Sequence, residues 1–310
     1  MPQYNVEVKP KPTPSNLVSV LMPCFNHEHY VVDALQSIAD SSYESLELMF
    51  IDDASVDESF CVAKKWLDAN AQRFARVVFE RHKINRGITK TLNELVSHAQ
   101  GRFIAFLASD DLLVADGISK QVSCALNSNA GFIFADARLI DESGKTISDS
   151  AIRHFGRNPR HLMRRNCLII DVLLNWEAPW TRVFASADLI SKIGMFDENL
   201  KFEDRDFIVR VLSHGSFALL PEAVYCYRLR LQNRLTPGLD LVSMRRDYLW
   251  SENKNFQESS GLIRLVLGLN VLAGRVRFDR NGMEKSSQVW PLFASIRKLL
   301  SLAHLAAMRF

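Results

Sequence analysis

The stretch Phe103-Ile104-Ala105-Phe106-Leu107-Ala108-Ser109-Asp110-Asp111 runs from continuous apolar side chains straight into two adjacent carboxylates. A strand buried on both faces reads this way, and open α/β sheets place ligands at such carboxyl ends. Two neighbouring like charges repel, so a cation or hydrogen-bond donors are expected beside them. The same residues also suit a helix start, with acidic side chains at the N-terminus and helix from Leu112 onward. Both readings fit this stretch by itself; the flanking sequence has to separate them.

Upstream, the same design recurs. Leu17–Met22 is a short apolar run stopped by Pro23, Leu46–Ile51 ends in Asp52-Asp53, and Arg76–Glu80 and Gly131–Ala135 read as further strands. Between them Val31, Leu35 and Ile38, then residues 56–69, then Ile88, Leu92, Leu95 and Val96, and finally residues 113–127, carry helical spacing. Strands alternating with helices predict right-handed βαβ crossovers and an α/β fold with a mostly parallel sheet. After the turn Asp141-Glu142-Ser143-Gly144 the pattern loosens. Residues 150–159 read as a mobile loop, helices return near Asp188–Ile193 and Asp206–Leu212, and two short strands are expected at Phe217–Leu220 and Val224–Tyr227. Beyond Pro237 the pattern is helical, with Val289, Leu292, Phe293, Ile296, Leu299 and Leu300 forming one apolar face.

The 310 residues are 47% hydrophobic and 24% charged, which suits a globular protein with one principal domain and an appendage. A formal net charge of +3 gives no case for a nucleic-acid partner. Cys24, Cys61, Cys124, Cys167 and Cys226 form no CxxC pair, which favours reduced thiols and argues against a zinc framework. Residues 1–15 are polar and proline-rich, read as a flexible leader without the apolar core of a signal peptide, and no apolar run is long enough to cross a bilayer. A cytoplasmic protein is expected. After Gly261 basic residues dominate, among them Arg297, Lys298 and Arg309. Such helices suit peripheral contact with an anionic membrane face, and equally packing on the main domain or within a homodimer.

The chain resembles the family 2 glycosyltransferases, which have the GT-A fold. Val18-Ser19-Val20-Leu21-Met22-Pro23-Cys24-Phe25-Asn26 looks like that family's opening strand, and Phe50–Asp57 resembles its DDGSxD segment with Ala54 in place of Gly. Asn85-Arg86-Gly87 with Asn93 and Gly101-Arg102-Phe103-Ile104 is similar to its NxG…N…GxYI stretch. Gly194-Met195-Phe196-Asp197-Glu198, then Glu203-Asp204 and Tyr227-Arg228, follow in the family's order. The resemblance covers residues 16–236 and implies a Rossmann-like, mostly parallel sheet flanked by helices. A nucleotide-sugar half (16–140), an acceptor half (141–236) and a helical C-terminal extension (237–310) are expected.

Residue by residue, the resemblance implies that Pro23, Asn26 and Glu28 frame the nucleotide, with Asn85, Gly87 and Ser109 in the same region. Asp52 or Asp53 would contact base or ribose. Asp110 would bind a divalent cation, Mn2+ or Mg2+, on the donor diphosphate, while Asp111 contacts the sugar or supports Asp110. Asp204 matches the catalytic base, with Glu203 beside it, and Trp180 and Thr181 fall in the acceptor region. The implied activity is inverting transfer of a hexosyl or N-acetylhexosaminyl group from a nucleotide-diphosphate sugar, such as a UDP-sugar. The acceptor would be a glycan or lipid-linked hydroxyl in bacterial-type surface polysaccharide biosynthesis.

Three departures accompany the resemblance. Ala108 replaces the first acid of the family's DxDD, Arg230 stands where many members have His, and the QxxRW of processive synthases does not occur. The trimmed acid cluster leaves a non-catalytic nucleotide-sugar or glycan-binding descendant as the rival reading. A nucleotidyltransferase is a further rival, but Cys24-Phe25-Asn26-His27-Glu28 lacks the Gly- and Lys/Arg-rich loop that a triphosphate needs.

Overall fold

Side chains alternate across the first four strands, and both faces are covered. The structure, a computed structural model, describes residues 16–175, 182–200, 203–229 and 241–277. Strands β1 (Val18–Cys24), β2 (Leu46–Asp52), β3 (Val77–Arg81) and β4 (Phe103–Phe106) lie parallel in the order β3-β2-β1-β4. Val18, Val20, Met22, Leu48, Phe50 and Phe79 pack on one side against helices α1 (Val31–Ala39), α2 (Ser59–Asn70) and α4 (Gly117–Ser128). Leu21, Met49, Ile51, Val78 and Ile104 face the other side, toward Leu92 and Leu95 of α3 (Ile88–His98) and the helices of the second half. Apolar burial on both faces explains why these strands read as continuous hydrophobic runs.

The sheet continues without a break into the second half. β5 (Leu112–Leu113), β6 (Phe132–Ile140), β7 (Thr146–Ser148), β8 (Phe184–Ser186) and β9 (Phe217–Arg228) extend the order to β3-β2-β1-β4-β8-β6-β9-β5, with β7 paired to β6. β6 and β9 are parallel, whereas β8, between β4 and β6, and β5, at the edge, run antiparallel. The α/β class and mostly parallel sheet expected from the sequence are therefore found.

Local differences have local causes. The two strands expected at 217–227 are one strand, in which pairing passes from Leu220–Ala135 to Ala223–Asp136. Pro221, which has no N–H for the ladder, and Glu222 are accommodated in the resulting bulge. Residues 150–159 are not an irregular loop but hold the short helices α5 (Ala151–His154) and the start of α6 (Pro159–Leu162). Ser150 caps α5 by accepting from Arg153 N, Asp136 accepts from Ile152 N at 3.0 Å, and buried Arg157 pairs with buried Asp171 at 2.7 Å. That ion pair anchors a segment whose polar composition looks solvated. Helix α7 (Arg165–Leu174) has no counterpart in the sequence reading, because the nearly continuous apolar run Cys167–Leu174 carries little helical periodicity.

The remaining helices, α8 (Ala187–Ile193), α9 (Glu203–His214), α10 (Leu241–Glu258) and α11 (Gly261–Arg277), stack beneath the second face. Leu267 of α11 is fully buried, and Asn255 of α10 donates to Asp206 of α9 at 2.9 Å. The extension thus packs onto the main body along its described part. No described helix is long and apolar enough to cross a membrane. The leader 1–15 and the basic residues Arg297, Lys298 and Arg309 lie outside the described residues.

Gly101 is fixed by a buried acid. Glu47, fully buried, accepts from Ser19 Oγ at 2.6 Å, Gln100 N at 2.6 Å and Gly101 N at 3.1 Å, and pairs with Arg76 at 3.2 Å. A Cβ at Gly101 would lie 2.6 Å from the backbone nitrogen of Ser19. Gly101→Ala is expected to cost about 1–3 kcal/mol by overpacking, measured as a lower urea midpoint at unchanged slope. An unchanged midpoint would contradict the packing assigned here.

Candidate functional site

The carboxyl ends of β1, β2 and β4 open into a cleft of about 460 Å³. Of the residues singled out in the sequence, Pro23, Asp53, Asn85, Gly87 and Ser109 line it. Phe25, His27, Ile88, Thr91 and Ala108 join them. Phe25 is an exposed aromatic in the cleft wall, a suitable flat face for a ring.

Strand alternation splits the first acidic pair. Asp52 is fully buried, accepting from Ser55 N at 3.0 Å and pairing with Arg81 Nε at 3.2 Å. Asp53 turns to the cleft, where Oδ1 accepts from Arg86 N at 2.8 Å and contacts His82 Nδ1 at 2.6 Å. Its Oδ2 accepts from Gly87 N at 2.8 Å, and Gly87 reaches that geometry at φ +84°. Such a backbone angle favours glycine. Asn26 and Glu28 serve the neighbouring loop: Asn26 Oδ1 accepts from Val56 N and Glu28 Oε2 from Glu58 N, both at 2.9 Å. They brace the cleft rim and are not among its lining residues.

The second acidic pair lies in the turn after β4, and neither member is among the cleft-lining residues. Asp110 is half-buried at the end of β4. Asp111 is buried and held by Arg182, whose Nε donates at 2.9 Å, and by Arg228 N at 2.9 Å. Burial raises its pKa and Arg182 opposes that rise. Arg228 also donates to the carbonyls of Asp110 at 2.8 Å and of Asp141 and Glu142 at 3.0 Å. Asp111 and the carbonyl of Asp110 thus share one partner, Arg228. Next to Ala108, Ser109 is buried with its hydroxyl 2.8 Å from His27 Nδ1.

Glu203 and Asp204 open α9, where the helix N-terminus favours negative charge. Burial, and then the charge of Asp204, push the Glu203 carboxyl up to about 8. Asp204 is also raised by burial, but the backbone N–H of Arg205, 2.7 Å away, and the charges of Arg205 and Arg182 favour its ionised form. The two carboxyls titrate as a coupled pair, both raised by burial, with Arg205 and Arg182 favouring ionisation at Asp204. Arg182 acts on both Asp111 and Asp204, which places the end of β4 and the start of α9 in one electrostatic neighbourhood. Behind the pair, Arg205 donates to the Leu173 carbonyl at 3.0 Å and pairs with Glu252 of α10, to which Asn270 of α11 also donates at 3.2 Å. Trp180 and Thr181 lie outside the described residues.

Among the described residues, Glu80, Glu94 and His98 each bring one ligand atom within 4.8 Å of the others. This cluster does not include Asp110, and Glu94 within it already pairs with His82 and Arg86.

The family model for glycosyl transferase family 2 matches residues 19–177, more than half of the chain. The chain belongs to glycosyl transferase family 2. This family 2 chain is 28% identical over 225 residues to the minor teichoic acid biosynthesis protein GgaB of Bacillus subtilis (strain 168), a match covering 68% of the chain and 23% of that protein. It is 29% identical over 141 residues to the UDP-Glc:alpha-D-GlcNAc-diphosphoundecaprenol beta-1,3-glucosyltransferase WfgD of Escherichia coli, covering 44% of the chain and 53% of that relative. The matches thus span about a quarter to a half of these relatives' lengths. In fold, it is similar to S. aureus TarS 1-349 in complex with UDP-GlcNAc, with a TM-score of 0.64 at 17% identity over 94% of this chain and 83% of that one. The mannosyltransferase PcManGT of Pyrobaculum calidifontis, in complex with GDP-Man and Mn2+, gives a TM-score of 0.62 at 16% identity over 99% and 79%.

Sequence reasoning assigned no role to Phe25, His82, Glu94, Arg182 or Arg228. Phe25 and Arg228 sit inside motifs already recognised, so their positions carried a signal. Arg182 follows residues without a recognisable pattern, and only folding brings it to Asp111.

Two outcomes follow from these charges. Arg182→Met strands a buried carboxylate and is expected to lower unfolding free energy by roughly 3–5 kcal/mol in denaturant titration. Glu203 binds a proton more tightly when folded, so its contribution to stability is full below its ordinary value of 4.5 and is lost as pH rises toward about 8. Stability measured across that window should fall less steeply in Glu203→Gln than in the native chain; equal slopes would refute the assignment.

Proposed function

We propose that the chain is an inverting glycosyltransferase that moves a sugar from a UDP-sugar to a hydroxyl of a glycan or lipid-linked acceptor. The observation that carries this reading is the placement of Asp53 in the cleft wall with Asp110 and Asp204 set around the arginine-held end of β4. Asp53 and Phe25 would receive the nucleobase, one as acceptor and the other as stacking face. The names of WfgD, a UDP-Glc enzyme acting on a diphosphoundecaprenol acceptor, and of GgaB support a role in surface polysaccharide assembly.

Asp110 would hold the divalent cation. Ala108 offers no ligand and Asp111 is committed to Arg182 and Arg228, so the protein supplies one principal carboxylate. That donor set fits Mg2+ or Mn2+, which bind through one or two carboxylates together with substrate phosphates and water. When bound, such an ion would neutralise charge on the departing diphosphate.

Asp204 accepts the proton of the acceptor hydroxyl as that oxygen attacks the anomeric carbon opposite the leaving group, so the anomeric configuration inverts. Its pKa, raised by burial, makes it a stronger base than an exposed aspartate, while Arg205 and Arg182 favour its ionised form. Glu203 beside it is raised by burial and then by the charge of Asp204.

Metal-dependent release of nucleoside diphosphate from a panel of sugar nucleotides tests the activity. Asp204→Asn is expected to lower transfer by about 10²-fold or more while leaving UDP affinity unchanged. Asp110→Ala is expected to abolish the response of both turnover and UDP affinity to Mn2+. Full transfer by Asp204→Asn would overturn the base assignment, and nucleotide binding without turnover of any donor would favour the non-catalytic reading that Ala108 suggests.

A further inference from the structure

Behind Asp53 the structure holds a second carboxylate joined to it through an imidazole. His82 Nδ1 lies 2.6 Å from Asp53 Oδ1, and His82 Nε2 lies 3.2 Å from Glu94 Oε2. The side chains of Asp53 and His82 are 6% and 7% exposed, that of Glu94 25%. Arg86 closes the far end by pairing with Glu94, its NH1 also 3.5 Å from His82 Nε2. The backbone of the same Arg86 donates to Asp53 at 2.8 Å. Three elements converge here: the end of β2, the residues just after β3, and helix α3.

Resting on the reading that Asp53 meets the nucleobase, we propose that His82 and Glu94 are positioning residues that fix Asp53 as a pure acceptor and so select a base carrying a ring N–H. An ionised carboxylate cannot donate, so the short contact requires the proton on His82 Nδ1. In the neutral ring Nε2 is then an acceptor, served by Arg86; in the charged ring Nε2 donates to Glu94. Either form of the imidazole donates to Asp53, so the orientation survives a change in the ring's charge. Asp53 Oδ1 is filled by His82 and Arg86 N, whereas among the described residues Oδ2 takes only Gly87 N and retains one acceptor position. Uracil offers an N3–H to that position. Cytosine presents a ring-nitrogen lone pair there, which repels the carboxylate. A site built around a fixed acceptor rejects a ligand lacking the donor more strongly than an apolar pocket can.

Calorimetric titration of the full chain with UDP and with CDP tests the proposal, using Asp53→Ala, His82→Ala, His82→Asn and Glu94→Gln. The native chain is expected to prefer UDP, and both Asp53→Ala and His82→Ala to weaken UDP binding about ten-fold or more, shrinking the preference. His82→Asn places an amide N–H near the position of Nδ1 and should restore most of it. Glu94→Gln, a nearly isosteric change at the outer end, should weaken UDP by about three-fold, so the test does not depend on the His82 variants alone. With a sugar donor, the His82→Ala defect should appear in KM while kcat stays near native, a split that general loosening of the fold would not give. A UDP-to-CDP ratio unchanged in His82→Ala but reduced in Asp53→Ala would overturn the relay and leave the role of Asp53 standing. An unchanged ratio in Asp53→Ala would overturn the underlying reading of the cleft.

Discussion

The buried carboxylate of Asp111 must be compensated, and the second half of the molecule is arranged to do it. An unpaired charge there would cost several kcal/mol. Arg182, from just before β8, and the backbone of Arg228, at the end of β9, supply the compensation. Arg228 then binds three carbonyls from the β4 end and the β6–β7 turn. One buried acid therefore draws four separate chain segments to a point. Asp110 is displayed at that point, on a backbone that cannot easily move.

A similar logic holds the candidate base. Glu203 and Asp204 begin a helix whose next residues, Arg205 and Asp206, are buried and paired with α10. The C-terminal extension is thus a support for the base as well as packing for the second face of the sheet. Their surroundings also differ, because the arginines favour ionisation of Asp204 while burial and the charge of Asp204 raise Glu203.

In each acidic pair one member is buried against an arginine. In the first pair the end of β2 turns Asp53 to the cleft; the second pair lies in the turn after β4, where Arg182 and Arg228 hold Asp111. Asp53 lines the cleft and Asp52 pairs with Arg81; Asp111 is locked by Arg182, while half-buried Asp110 lies outside the cleft lining. Buried polar groups persist in such places only when their hydrogen bonds are met. Here the partners are backbone amides, arginines and a histidine contributed by neighbouring loops.

The sequence by itself determined the α/β class, the parallel first half and the strand ends where ligands gather, because apolar runs stopped by acids or proline are local patterns. Family resemblance carried Asp53, Asp110 and Asp204 as well, since each sits in a short contiguous motif. Only the tertiary structure decided the partners that hold each acid, because they are distant in sequence: Arg182 for Asp111, and His82 with Glu94 for Asp53. It also decided that residues 150–159 are ordered, through an Arg157–Asp171 ion pair invisible to periodicity. Local hydrophobic order is written along the chain; compensation of buried charge is a long-range bargain among residues that meet only when it folds.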